Sequence, residues 1–131
     1  LEQALQSITD KQSVKPNEIV IVKDGNLTEA LDNVLNEYFI KYPSILKVHG
    51  YSVNKGLGYA LNYGLNKSSN EIIFRMDSDD IMSLNKLKVL KTNLENLGHG
   101  HIALGKVKYF SDKPLGDGFK RYEEWLNSLI E

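Results

Sequence analysis

The sequence predicts an α/β fold, with a mainly parallel central sheet covered by helices on both faces. Three observations predict it. Short apolar runs alternate with segments of helical period, in the order α-β-α-β-α-β-α over residues 1–97. The connections are short, as they are where crossover helices join parallel strands. Acidic turns close two of the runs, one at Asp24 and one at Asp77, Asp79 and Asp80. Open α/β sheets bind their ligands at that end of their strands.

Each element has its own signal. Leu1, Ala4, Leu5 and Ile8 recur at i, i+3, i+4 and i+7, one helical stripe that ends near residues 10–12. Residues 18–22 are almost continuously apolar, as in a strand buried on both faces, and lead into a turn over 23–26. Asn26 and Glu29 have capping-box spacing, and helical period then runs from Leu27 to Phe39, before Pro43. Residues 45–48 read as a second strand. Asn54, Lys55 and Gly56 open a helix marked by Leu57, Ala60, Leu61, Gly64 and Leu65. Residues 71–74 read as a third strand carrying the acidic cluster on its end. Ser83 has the chemistry of an N-cap for a fourth helix that buries Leu84, Leu87, Leu90, Leu94 and Leu97. Beyond it come a loop over 98–101, a strand over 102–110 and an amphipathic helix from Phe119 to Ile130.

Length and composition narrow the possibilities. A chain of 131 residues, 41% hydrophobic and 25% charged, fits a single domain over 1–131. A formal net charge of −1 gives no electrostatic basis for nucleic-acid binding. With no cysteine there is neither a disulfide framework nor thiolate chemistry, and no apolar run approaches the ~18 residues that span a bilayer. The chain starts at Leu1 without methionine or a signal segment, as a fragment or a processed chain would.

Three carboxylates in four positions repel one another unless a cation or donors compensate. Strand periodicity points Asp77 and Asp79 to one side, and paired carboxylates suit a hard divalent cation that keeps positions for water and phosphate. Taken alone, the cluster reads better as a solvated turn whose carboxylates favour the following helix's N-terminus than as a site. Asp24 and Gly25 alone are ordinary turn residues. Gly56 and Gly58 begin a dinucleotide fingerprint whose third glycine would fall at Leu61, a weak basis for a Rossmann-type dinucleotide enzyme. His99 and His101 lie between glycines without a third ligand, which favours a surface loop. Tyr122 and Trp125 could stack a sugar ring, but their helical spacing favours packing.

Together, LEQALQSIT (1–9), NEIVIVKDG (17–25), NKGLGYALNYGL (54–65) and IIFRMDSDDI (72–81) resemble the donor-binding half of a family 2 glycosyltransferase with the Rossmann-like GT-A fold. The resemblance covers about residues 1–97, with 98–131 as a connector toward an acceptor-binding part. It implies a metal-dependent, inverting transfer of a sugar from a nucleotide diphosphate, typically a UDP-sugar, to a glycan or lipid-linked acceptor. This is the chemistry of polysaccharide or glycoconjugate biosynthesis.

The resemblance also implies roles for particular residues. Asp24, with Gly25, would contact the base, and Asn54, Lys55 and Gly56 would lie along base and ribose. Asp77, with Ser78 and Asp79, would complete the nucleotide-sugar site, with Asp77 and Asp79 holding Mg²⁺ or Mn²⁺. Asp80 would tune that pair or cap the next helix. Use of cytosolic donors implies a cytoplasmic or membrane-peripheral location.

The chain departs from the family pattern in several places. It starts after the family's usual first strand, of the type VSVIIPVYN, so the GT-A domain reads as truncated. Lys23 stands for the usual acidic residue before Asp24, and Asn26 for the usual serine. The family's catalytic base, a carboxylate in a Glu-Asp-type motif, is expected outside the chain. Glu123 and Glu124 are not assigned to it. The alternative is a non-catalytic nucleotide-sugar-binding or scaffolding domain. The donor sugar, the linkage and the oligomeric state are not readable from the sequence.

Overall fold

The element that orders the fold is one parallel β-α-β unit. In the computed structural model, which describes residues 1–130, β1 (Ile19–Asp24) pairs in parallel with β2 (Leu46–Tyr51) through α2 (Glu29–Lys41). Ile19 lies opposite Leu46 and Asp24 opposite Tyr51, so the two strands end level. The Ile19 N–H donates to the Ile45 carbonyl at 2.7 Å, and the Gly25 N–H continues the ladder to the Tyr51 carbonyl at 3.2 Å. Helix α1 (Glu2–Thr9) precedes this unit and α3 (Leu57–Lys67) follows it. Leu5, Ile19, Leu35, Tyr38 and Leu46 form the core where α1 and α2 meet the strands. Helix α3 packs on β1 through Gly64, where an added Cβ would come 3.1 Å from a Val22 methyl.

The described chain gathers into two compact units, Leu1–Leu87 and a second from Lys88 onward. The division falls just after the second residue of α4 (Lys86–Leu97). The second unit contains the rest of α4 and α5 (Asp117–Ser128).

The α/β class and all five expected helices are present among the described residues, and several details differ. Residues 71–74 make no strand ladder, and Ile72 and Ile73 stay exposed. An apolar run becomes a strand only where a neighbouring strand takes its backbone groups, and among the described residues the sheet is β1 and β2 alone. Residues 102–110 are not a strand either, and side chains of α5 take the backbone groups of Val107 and the Tyr109 N–H. The Asn127 carboxamide accepts from the Val107 N–H and donates to its carbonyl, both at 2.8 Å. One turn earlier the Glu123 carboxylate accepts from the Tyr109 N–H.

Helix boundaries and burial also shift. Helix α2 is capped by Thr28, whose hydroxyl accepts from the Leu31 N–H, rather than by Asn26. Helix α4 starts at Lys86, after a turn closed by the Ser83 carbonyl, so Ser83 is not its side-chain cap. Of the five leucines expected to be buried along it, only Leu87 is. No residue of α3 is fully buried, and β1 is fully buried only at Ile19, because a two-stranded sheet presents little surface to cover.

Candidate functional site

The carboxyl ends of β1 and β2 carry one closed turn. Gly25 continues from β1 with φ +93°, a conformation that disfavours side chains, and an added Cβ would lie 3.1 Å from the Asn54 nitrogen. This close approach lets the loop from Asn54 to Gly56 fold over the strand end. There the Asp24 carboxylate accepts from the Lys55 N–H at 2.7 Å with one oxygen and from the Gly56 N–H at 3.0 Å with the other. Gly56, at φ +86°, is the residue from which α3 begins, and its N–H also meets the Asn54 carboxamide oxygen at 3.0 Å. The bond from Lys55 above all, joined by Tyr51 and the Gly56 N–H, holds the Asp24 carboxyl below its usual range.

Tyr51 is a member of this turn that sequence reasoning missed. It ends β2 level with Asp24. Its hydroxyl is buried without a well-formed hydrogen bond among the described residues, and burial, followed by the nearby Asp24 carboxylate, pushes its pKa up to about 12. The Tyr51 ring meets Tyr59 and Tyr63 edge-on, with centroids 5.2 and 5.4 Å away. The Lys55 ammonium lies 4.4 Å from the Tyr59 ring centroid and 5.3 Å from that of Tyr51. The signal available in the sequence was position, since Tyr51 and Asp24 are each the sixth residue of paired strands. Lys23 turns to α2 and pairs with Asp32.

Asp77, Ser78 and Asp79 occupy a second turn, exposed throughout and closed by the Asp80 N–H donating to the Asp77 carbonyl at 3.2 Å. Arg75 pairs with Asp77 at 3.2 Å, an exposed contact of small energy. The structure brings Asp24, Gly25, Asn54, Lys55 and Gly56 together, and no hydrogen bond among the described residues links them to Asp77, Ser78 or Asp79. Among the described residues no three metal-ligating side chains converge. Asp77 and Asp79 offer hard oxygen donors only. Two carboxylates fit a divalent cation that takes its remaining ligands from phosphate and water.

In the second unit His101 Nδ1 faces the carbonyls of Gly98 and His99 at 3.2 Å in an exposed loop. Tyr122 and Trp125 are exposed and pack against each other, with centroids 5.4 Å apart. Tyr109, Gly118, Phe119 and Tyr122 line a shallow, open depression. The Glu123 carboxylate is engaged with the Tyr109 backbone. No helix among the described residues is long and apolar enough to cross a membrane.

A parallel β-α-β unit with its polar turns at the strand carboxyl ends defines a Rossmann-like α/β domain. The chain belongs to glycosyl transferase family 2, whose family model matches residues 1–129. All 131 residues align, at 34% identity, with an Escherichia coli protein named UDP-Gal:alpha-D-GlcNAc-diphosphoundecaprenol beta-1,3-galactosyltransferase. They cover 46% of that protein, so the chain spans about half the length of this curated relative. No solved structure matches the chain.

Proposed function

We propose that this chain is the donor-binding part of an inverting glycosyltransferase that takes its sugar from a UDP-sugar. The single observation that carries the reading is the Asp24 carboxylate clasped by the loop that opens α3, at the carboxyl end of β1, in a chain of this family. Its two oxygens each retain a lone pair beyond the backbone bonds they accept, enough to take a hydrogen bond from a nucleobase. Asn54, Lys55 and Gly56 present the backbone and the ammonium along which a ribose and diphosphate would lie.

Asp77 and Asp79 would hold Mg²⁺ or Mn²⁺. When bound, the cation offsets charge on the departing diphosphate. In the transfer itself a carboxylate base removes the acceptor hydroxyl proton. The acceptor oxygen then bonds to the anomeric carbon as the bond to the diphosphate breaks on the opposite face, releasing the nucleoside diphosphate. That base is expected outside this chain. The relative's name supports a lipid-diphosphate-linked glycan as acceptor, a membrane-peripheral setting and UDP-galactose as the first donor to test.

Calorimetric titration of UDP into the chain, with and without Mn²⁺, tests this reading. We expect binding that tightens with the metal and is abolished by Asp24→Ala. Metal-independent binding would remove Asp77 and Asp79 from the site, and no UDP binding by the folded chain would sink the reading.

A further inference from the structure

The acidic turn has no sheet to hold it, yet the chain on its C-terminal side is anchored by two of the most buried polar side chains among the described residues. Ser7 on α1 is 1% exposed and Gln12, just beyond that helix, is 4% exposed. The Ser7 hydroxyl donates to the Ala4 carbonyl at 2.7 Å, so its oxygen accepts the Met82 N–H, which lies 3.0 Å away. Met82 itself is buried and stands two residues after Asp80.

The Gln12 carboxamide uses both of its donors and accepts one bond. One nitrogen donates to the Ser7 carbonyl at 3.1 Å and to the Ser83 carbonyl at 2.8 Å. Its oxygen accepts the Leu87 N–H at 3.3 Å. The Ser13 N–H adds a bond to the Leu84 carbonyl at 3.0 Å. One carboxamide therefore caps the last turn of α1 and fixes the chain at Ser83 and Leu87. A side chain that is buried and satisfied in this way specifies one arrangement, because any shift leaves donors and acceptors unpaired without water.

On the other flank Glu18 does a similar task. Its carboxylate accepts from the Ser69 N–H at 2.8 Å and the Asn70 amide at 3.1 Å, while Lys47 pairs with it. Residues 71–81, with the acidic turn near their end, are thus strung between two side-chain anchors. The anchor beside the turn is the stronger candidate for control, because Met82 and Ser83 follow Asp80 almost directly.

We propose that Gln12, with Ser7, is a positioning residue that sets where Asp77 and Asp79 present their carboxylates to the diphosphate and its cation. Neither Gln12 nor Ser7 touches the turn's side chains; they act through the backbone at Met82, Ser83 and Leu87. The proposal rests on the donor-site reading above and extends it to residues about 70 positions earlier in the chain.

The test uses the full chain with Gln12→Met, which keeps length and apolar volume while removing every hydrogen bond of the carboxamide. Hydrogen exchange should show lost protection at the Leu87 amide, with the Lys55 and Gly56 amides unchanged. Calorimetry should show UDP affinity in EDTA close to wild type, while the gain that Mn²⁺ confers falls about tenfold, the scale seen when outer-shell partners of metal ligands are removed. Ser7→Ala, which deletes the acceptor for the Met82 N–H and the donor to the Ala4 carbonyl but leaves the Gln12 contacts in place, should do the same to a smaller degree and serves if Gln12→Met does not fold.

An unchanged metal-dependent gain, or an equal loss with and without metal, overturns the positioning role while leaving the donor site standing. Absence of any metal-dependent gain in the wild-type chain overturns the assignment of Asp77 and Asp79, and this proposal with it.

Discussion

The two acidic turns are close in chemistry and opposite in construction. The turn at Asp24 grows from the sheet. Its backbone continues the ladder at Gly25, and peptide N–H groups of the facing loop close it. The turn at Asp77 has no ladder beneath it and is held from its flanks by the side chains of Glu18, Ser7 and Gln12. The difference teaches where each is vulnerable. The first depends on backbone conformation, the second on the protonation and identity of distant side chains.

The largest effect should come from breaking the backbone-built turn. Gly25→Ala forces a side chain into a left-handed conformation, which costs roughly 2 kcal/mol, and into contact with Asn54. Chemical denaturation should register that loss. Exchange should quicken at the Lys55 and Gly56 amides while Met82 and Leu87 keep their protection. Equal loosening of both turns would mean that they are one structure after all.

Acid should separate the turns by a different route. Lys47 first, then the Ser69 N–H, lower the Glu18 pKa from 4.5 to about 2. Its folded-state pKa lies below the unfolded one, so its contribution is present above about pH 4.5 and is lost as pH falls toward 2. Asp24 is also lowered from its ordinary value of 3.8, so its turn weakens in acid in the same sense. The discriminating measurement is Ser69 amide exchange from pH 5 to 2. In Glu18→Gln most of its pH slope should vanish, while the slope at Lys55 should persist.

The smallest effect is expected at Lys23, which stands where the family carries an acid. Its pairing with Asp32 is partly exposed, and such pairs contribute about 0–1 kcal/mol. Lys23→Ala should therefore shift the thermal midpoint little and leave UDP affinity within a factor of about 2. A large loss of affinity would bring Lys23 into the donor site.

The sequence carried the periodic parts of this molecule well. The helices follow from their apolar spacing, and β1 and β2 from runs with turns behind them. The two missed strands share one cause, which is that period records what a segment could pair with and not whether a partner is there. Residues 71–74 and 102–110 have strand composition and no strand neighbour. Asp24 with Gly25 and the loop from Asn54 to Gly56 were legible as strand-to-helix turns from their glycines, while a part in a donor site came only from the family resemblance. The anchoring roles of Gln12 and Glu18 were not legible, because Ser83 and Ser69 lie 71 and 51 residues away along the chain. A polar residue just past a helix stripe looks like any other surface residue until the fold closes on it.

The contacts between α5 and residues 107–109 have a further consequence. Four residues of helix rise about 6.0 Å, and two residues of extended chain advance about 6.6–6.8 Å. Glu123 and Asn127 are therefore spaced to meet alternate peptides of an antiparallel neighbour, and they meet Tyr109 and Val107. A slip of one residue would point the intervening peptide's groups away from the helix and forfeit all of these bonds together. The helix works as a ruler with two marks, and the chain beside it cannot move against it by a single residue.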